Sequence, residues 1–182
     1  MEQLEFYIYE SELWCKRGDS RNEVVTENDT ELIQILIGLI REQYPSAFKA
    51  LEKEYQKSAG NVRYYQFLIV RRFCKCNFGK LDTTKIDVES TGRLNFEKVE
   101  CPMRGECRFE GVICFPKFNT RLSDSEMRVM KLVYEGKSKE DIAEELYLSP
   151  NTIKNHIKSV YLKLGIHEKS EFIQYANRNN LF

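Results

Sequence analysis

The sequence predicts a mainly α-helical fold, in which a helical, cysteine-rich α+β domain at residues 1–119 precedes a helical domain at residues 120–182. Apolar side chains recur at helical spacing near both ends of the chain. The middle instead holds five of the six cysteines among glycines, prolines and short alternating stretches, which is typical of turns and short strands. With 182 residues and 42% apolar side chains, the chain can form one large or two small hydrophobic cores.

The apolar segments are too short to cross a membrane. The longest, residues 32–40, is interrupted by Gln34 and falls far below the roughly 20 residues of a spanning helix. The N-terminus lacks the basic and apolar regions of a secretory signal. We therefore expect a cytoplasmic protein without a membrane partner, whose cysteines are buried, metal-bound or catalytic rather than bridged.

In the first domain, cap candidates followed by apolar residues at helical spacing predict a helix over residues 28–43. Pro45 ends it and begins a second helix that runs to about Ser58. Residues 61–73 fit either a third helix or a buried strand, because periodicity alone does not distinguish them. The glycines, prolines and short alternating stretches of residues 74–118 predict turns and short strands.

In the second domain, helix starts are marked by capping residues. Ser123 with Glu126 and Ser138 with Asp141 are capping boxes that open two helices. Ser149-Pro150 supplies a cap and a first-turn proline for a third. The short spacing between the second and third helices predicts a helix-turn-helix arrangement.

The third helix has a cationic outer face. Residues 149–164 hold three lysines and a histidine but no acidic residue. One face of this helix is apolar, and the opposite face carries Asn151, Lys154, Asn155 and Lys158. Lysine can donate to guanine and asparagine can pair with adenine in the DNA major groove. Such a face is also common on ordinary solvated helices, so the surrounding helices decide between the two interpretations.

Strings in the C-terminal third fall in the order and spacing of a known domain. They are Leu122-Ser123-x-x-Glu126, Gly136-x-Ser138-x-x-x-Ile142-Ala143-x-x-Leu146, Ser149-x-x-Thr152-Ile153-Lys154-x-His156 and Tyr161-x-Lys163-Leu164-Gly165. Residues 121–180 thus resemble the LuxR/GerE-type four-helix DNA-binding domain of bacterial transcription regulators. The resemblance implies sequence-specific binding of double-stranded DNA, with a recognition helix at about residues 150–164 in the major groove.

The resemblance also implies roles for individual residues. Lys154, Asn155 and Lys158 would reach base edges, beside Asn151. Thr152, His156 and Lys163 would lie near the DNA backbone. Independently of the resemblance, Lys137, Lys139 and the backbone amides at the start of the preceding helix are placed to contact phosphates.

Two kinds of protein partner follow from the same domain. The fourth helix of this family commonly supports a homodimer, here through Phe172, Ile173, Tyr175 and Ala176, although packing onto the first helix is the alternative. A sigma-factor region-four-like or protein-interaction module, which acts with RNA polymerase rather than reading an operator alone, is the alternative function.

The cysteines of the first domain predict a metal site. Cys74 and Cys76 would point to one side of an extended segment, and Cys101 and Cys107 lie in a loop that can bend both thiolates toward a common point. Four thiolates fit tetrahedral zinc, so we predict a structural zinc ion bound by these four. Cys114 could replace one of them, and buried free thiols, an iron–sulfur cluster and a redox switch or disulfide remain alternatives.

The sequence predicts no enzyme. Its two histidines, His156 and His167, both lie in the C-terminal third, without a neighbourhood that suggests a catalytic triad or catalytic metal. Neither of the common glycine-rich phosphate-binding motifs occurs.

Overall fold

The computed structural model describes residues 2–18, 20–82, 85–179 and 181–182. Helices dominate the regular structure of these residues, with one small antiparallel sheet, so the predicted mainly helical class is confirmed. The chain divides into two compact units, Met1–Lys117 and Phe118–Phe182. Within the described residues, no helix is long and apolar enough to span a membrane.

The first unit begins with the sheet, which the sequence analysis did not assign. Its strands are β1 (Leu4–Tyr9), β2 (Glu12–Arg17) and β3 (Glu23–Val24), in the order β1-β2-β3 with antiparallel pairing. Phe6 faces Cys15 across the first pair, and both side chains are buried. In β2, the buried residues Leu13 and Cys15 alternate with more exposed neighbours, which places one face of this strand on the core.

Three α-helices follow the sheet in the first unit. They are α1 (Thr30–Gln43), α2 (Pro45–Glu54) and α3 (Val62–Asn77), with a one-turn 3₁₀ helix at Gln56–Ser58 before α3. α1 and the start of α2 match the predicted bounds closely, whereas α2 ends earlier than predicted. The helical option for residues 61–73 is confirmed.

α3 continues through residues that we predicted as turns or strand. Asn61 caps its start by accepting a hydrogen bond from the Tyr64 backbone N–H, and the helix extends through Cys74 and Cys76 to Asn77. The extended geometry assumed for Cys74 and Cys76 is therefore wrong. Residues two apart on a helix point in directions about 200° apart, so these thiols face different surroundings.

The second unit is helical throughout its regular structure. Its elements are α4 (Asp124–Tyr134), α5 (Lys139–Glu145), α6 (Pro150–Leu164) and α7 (Lys169–Arg178). Both predicted capping boxes are present at the starts of α4 and α5, and the Ser149 hydroxyl accepts from the Thr152 N–H at α6. Gly165, in the left-handed conformation at φ 65°, ends α6.

Candidate nucleic-acid interface

The inner face of α6 fixes the orientation of the helix. Ile153 and Val160 are fully buried in the core of the second unit, together with Met130 of α4 and Ile142 of α5. Ile157 and Leu164 are half-buried and pack against the same core. Because one stripe of α6 is anchored in this way, the opposite stripe must face outward.

The outward stripe carries the predicted base-reading residues. Asn151, Lys154, Asn155 and Lys158 are all exposed. They follow one another along the first part of α6, where no acidic side chain interrupts them. The structure thus presents two ammonium groups and two amides on one accessible helix face.

Thr152 and His156 lie at the margin of this stripe and are half-buried. The Thr152 hydroxyl shares a hydrogen bond of 2.8 Å with the Ser149 hydroxyl, and the Thr152 N–H donates to the same oxygen at 3.1 Å. These contacts hold the first turn of α6 in place and leave its N-terminal end exposed.

The start of α5 supplies a further cation. Lys139 is the first residue of α5 and is exposed, immediately after the Ser138 cap. Lys137 is half-buried instead, and its ammonium pairs with the Glu145 carboxylate. Of these two lysines, Lys139 is therefore the better placed for an external anion.

The turn between α5 and α6 exposes an aromatic side chain. Tyr147 is 95% exposed and adopts a positive φ of 53°. Its neighbour Leu148 is also exposed. Nothing in the sequence analysis singled out either residue, although a large exposed apolar side chain beside a functional helix is a signal for a binding role.

Lys163 occupies a different environment from the DNA-backbone contact predicted for it. Its Nζ lies 2.7 Å from Oε2 and 2.8 Å from Oε1 of Glu126. Glu126 is only 4% exposed and also accepts hydrogen bonds from Ser123 and the Ser159 hydroxyl. The Lys163 ammonium thus forms an ion pair with a buried carboxylate of the same domain.

Glu126 is consequently held as an anion. The hydrogen bond from Lys163 is the main cause that lowers the pKa of this carboxyl group to about 2, with the Ser123 N–H next in importance. Glu126 therefore closes the capping box of α4 and ties α4 to α6. The sequence analysis identified only the first of these two roles.

α7 contributes its apolar side chains to the core. Phe172 is 0% and Ala176 2% exposed, and both belong to the core cluster that contains Val129 and Met130. Assigning Phe172 and Ala176 to a dimer interface was therefore wrong, because their side chains are already buried within their own unit. Ile173 and Tyr175 are half-buried.

Residues 120–176 match the family model described as "Bacterial regulatory proteins, luxR family". This segment is a LuxR-family helix-turn-helix domain. The match confirms the resemblance found in the sequence and covers α4 to α6 and most of α7 of the second unit.

The curated relatives MalT and LiaR are similar to only a segment of this chain. The HTH-type transcriptional regulator MalT of Yersinia pestis (strain Pestoides F) is 42% identical over 57 residues, which are 31% of this chain and 6% of MalT. The transcriptional regulatory protein LiaR of Bacillus subtilis (strain 168) is 35% identical over 60 residues, which are 33% of this chain and 28% of LiaR. The chain therefore matches less than a third of the length of these relatives. No solved structure matches.

The cysteines lie in the first unit, outside the LuxR-family domain. Cys76, Cys101, Cys107 and Cys114 are half-buried and line one cavity of about 280 Å³. Cys74, predicted as a zinc ligand, is 2% exposed and does not line this cavity. Among the described residues, no group of three or more histidine, cysteine, aspartate or glutamate side chains is arranged to hold a metal ion as it stands. The zinc site stays a prediction.

Proposed function

We propose that this protein is a transcriptional regulator that binds double-stranded DNA in a sequence-specific manner, with α6 in the major groove. The observation that carries the proposal is the exposed stripe of Asn151, Lys154, Asn155 and Lys158 on a helix whose opposite face is anchored in the core. The LuxR-family match and the regulators that share this domain support the same role.

The proposed base contacts follow from the chemistry of each side chain. Lys154 and Lys158 donate to guanine O6 and N7, and Asn155 pairs with adenine N6 and N7. Asn151, one turn earlier, extends the same stripe toward the start of α6. A rigid helix carrying these groups is suited to discriminate base pairs, because the major groove presents a distinct donor and acceptor pattern for each.

The proposed phosphate contacts surround this stripe. Lys139, Thr152 and His156 lie at the starts of α5 and α6 or beside the base-reading residues. Such contacts fix the orientation of the protein on DNA without reading sequence. Lys163 contributes by bracing α6 against α4 through Glu126.

An alternative function is a sigma-factor region-four-like or protein-interaction module that acts with RNA polymerase. The exposed apolar side chains Tyr147 (95%), Leu162 (75%) and Leu148 (40%) favour this alternative, since such groups are suited to protein contacts. A homodimer also remains a prediction, without Phe172 or Ala176 in its interface.

A selection from random duplex DNA with the full chain tests the proposal. Sequencing of the retained duplexes should give a defined motif, and binding to that motif should weaken steeply as salt rises, because lysine contacts release counterions from DNA. Recovery of no preferred sequence, with binding that is insensitive to salt, would favour the protein-interaction module instead. Lys169→Ala, an exposed lysine on α7, serves as a matched charge control.

A further inference from the structure

Four half-buried thiols surround one cavity of the first unit. Cys76 lies near the C-terminal end of α3, while Cys101, Cys107 and Cys114 come from a segment of turns that follows it. The cavity measures about 280 Å³ and is lined by all four cysteines and by Arg72 of α3. Residues that are distant in sequence are thus brought to one place.

Asn77 fixes the position of Cys114 relative to Cys76. Its side-chain amide is fully buried and donates to the Ile113 carbonyl at 2.8 Å. The amide oxygen accepts from the Phe115 N–H at 2.9 Å. The residues on both sides of Cys114 are therefore held by the residue that directly follows Cys76.

Cys101 and Cys107 each begin a turn of the backbone. The Cys101 carbonyl accepts from the Arg104 N–H at 3.2 Å, and the Cys107 carbonyl accepts from the Glu110 N–H at 3.0 Å. Between them, Gly105 has a φ of +88°, a conformation that side chains with a Cβ rarely adopt. Successive turns of this kind bring thiols that are separated in sequence to the same cavity.

The turn segment has little apolar core of its own. Within residues 98–115, all of them described, Ile113 is the only apolar side chain that is buried. Segments that bury so little apolar surface usually need a disulfide or a metal ion to hold one conformation. This shortage favours a structural role for the thiols over incidental burial.

A positively charged side chain lies beside the four thiols, because Arg72 of α3 lines the same cavity. A metal ion bound here would deprotonate the thiols, and the Arg72 guanidinium would then offset part of the negative charge of the four thiolates.

Cys74 and Cys15 belong to the apolar core instead. Both are 2% exposed and neither lines the cavity. Cys74 lies two positions before Cys76 on α3, so its side chain points away from that of Cys76.

We propose that Cys76, Cys101, Cys107 and Cys114 bind one structural Zn²⁺ ion through four thiolates, with release of their protons. Zinc prefers a tetrahedral set of thiolates when its role is structural. Because the described side chains do not form a ligand group as they stand, the thiols must close around the ion on binding. The cavity and the half-exposed turns leave room for that movement.

Elemental analysis of the full chain, purified and then dialysed against zinc, tests the proposal. We expect one zinc per chain in the wild type and its loss in Cys107→Ser and Cys114→Ser. The matched control is Cys74→Ala, which should keep the metal. Loss of zinc from Cys74→Ala with retention in Cys114→Ser would overturn this ligand set, and iron with visible absorbance would overturn the assignment to zinc.

Alkylation of the cysteines tests the same ligand set in the wild type, so the result does not depend on whether a substituted protein folds. Peptide mapping after iodoacetamide treatment should show Cys76, Cys101, Cys107 and Cys114 protected with zinc and modified after a chelator is added. Cys15 and Cys74 should resist modification in both states, because they are buried. Equal modification of the four thiols with and without chelator, or a disulfide between Cys76 and Cys114, would contradict the proposal.

Discussion

The Lys163 ammonium and the Glu126 carboxylate join α6 to α4, with Nζ 2.7 Å from Oε2 and 2.8 Å from Oε1. The same carboxylate accepts from the Ser123 N–H at 2.8 Å and from the Ser159 hydroxyl at 2.8 Å. One buried anion thus completes the cap of α4 and fixes the C-terminal half of the proposed recognition helix. Its loss should affect two helices together.

Glu126→Gln should loosen α4 and α6. The variant removes charge-assisted hydrogen bonds, each worth about 1.5–3 kcal/mol, and leaves Lys163 without its anion. Hydrogen exchange of the full chain, followed by mass spectrometry, should show faster exchange in peptides from both helices. Lys158→Ala, on the outer face of α6, is the control and should exchange like the wild type. Unchanged protection in Glu126→Gln would show that this pair does not stabilise the domain.

Acid should weaken the same link. The Glu126 pKa is about 2 in the folded protein, below the ordinary value of 4.5. A lowered pKa stabilises the fold fully above the ordinary value and loses this contribution as the pH falls toward 2. Relative to the intrinsic exchange rate at each pH, the protection of α4 and α6 in the wild type should therefore fall between pH 4.5 and pH 2 by more than it does in Glu126→Gln. Parallel pH profiles of the two proteins would contradict this.

Lys139→Ala should weaken binding to all duplexes to the same degree. A phosphate contact carries no base information, and its removal should lower the slope of log affinity against log salt by about one. Lys137→Ala is a close control, because Lys137 pairs with Glu145 in the folded protein. If Lys139→Ala and Lys137→Ala give the same slope as the wild type, Lys139 does not contact phosphate.

The first unit should lose stability as the pH rises. Asp87 is 1% exposed, and burial raises its pKa to about 8, while the hydrogen bond from the Phe6 N–H acts in the opposite direction. The folded state therefore keeps a proton that the unfolded chain releases between the ordinary pKa of 3.8 and about 8. Stability should fall across this window, by up to about 1.4 kcal/mol per pH unit for one proton.

Asp87→Asn tests this account of the pH dependence. Its amide oxygen can still accept from the Phe6 N–H, which lies 2.7 Å from Oδ2 of Asp87 in the wild type. The variant should be more stable than the wild type at pH 8 and should show a flatter pH profile. Denaturant unfolding followed by the fluorescence of Trp14, the one tryptophan of the chain, measures this in the first unit. A wild-type slope in the variant would assign the pH dependence to other groups.

Local chemistry made much of the second unit predictable. The capping boxes at Ser123 and Ser138 need only residues three positions apart, and both are present in the structure. The apolar stripe of α6 likewise follows from spacing alone. In contrast, Lys163 and Glu126 are 37 residues apart in sequence, so their pairing depends on how α4 and α6 pack.

The elements of the first unit were harder to predict, because the sequence patterns that mark its strands, turns and third helix are weak or ambiguous. β1 and β2 are joined at Glu10 and Ser11, which have φ of 48° and 68°, whereas glycine or asparagine usually marks such a turn. Cys74 and Cys76 lie in a helix although cysteine-rich surroundings suggested turns. The ligand set predicted from sequence spacing therefore included Cys74. In the folded chain, Cys114 and not Cys74 lines the cavity with the other three cysteines.

The affinity ratio between the selected duplex and a scrambled duplex of equal length tests the central claim, that the outer face of α6 reads DNA. The wild type should prefer the selected duplex, and Lys154→Ala or Asn155→Ala should each lose about 1–3 kcal/mol of that preference while binding the scrambled duplex much as before. Lys169→Ala should keep the wild-type ratio. If Lys154→Ala and Asn155→Ala keep the wild-type ratio and the wild-type hydrogen exchange, α6 does not read the bases.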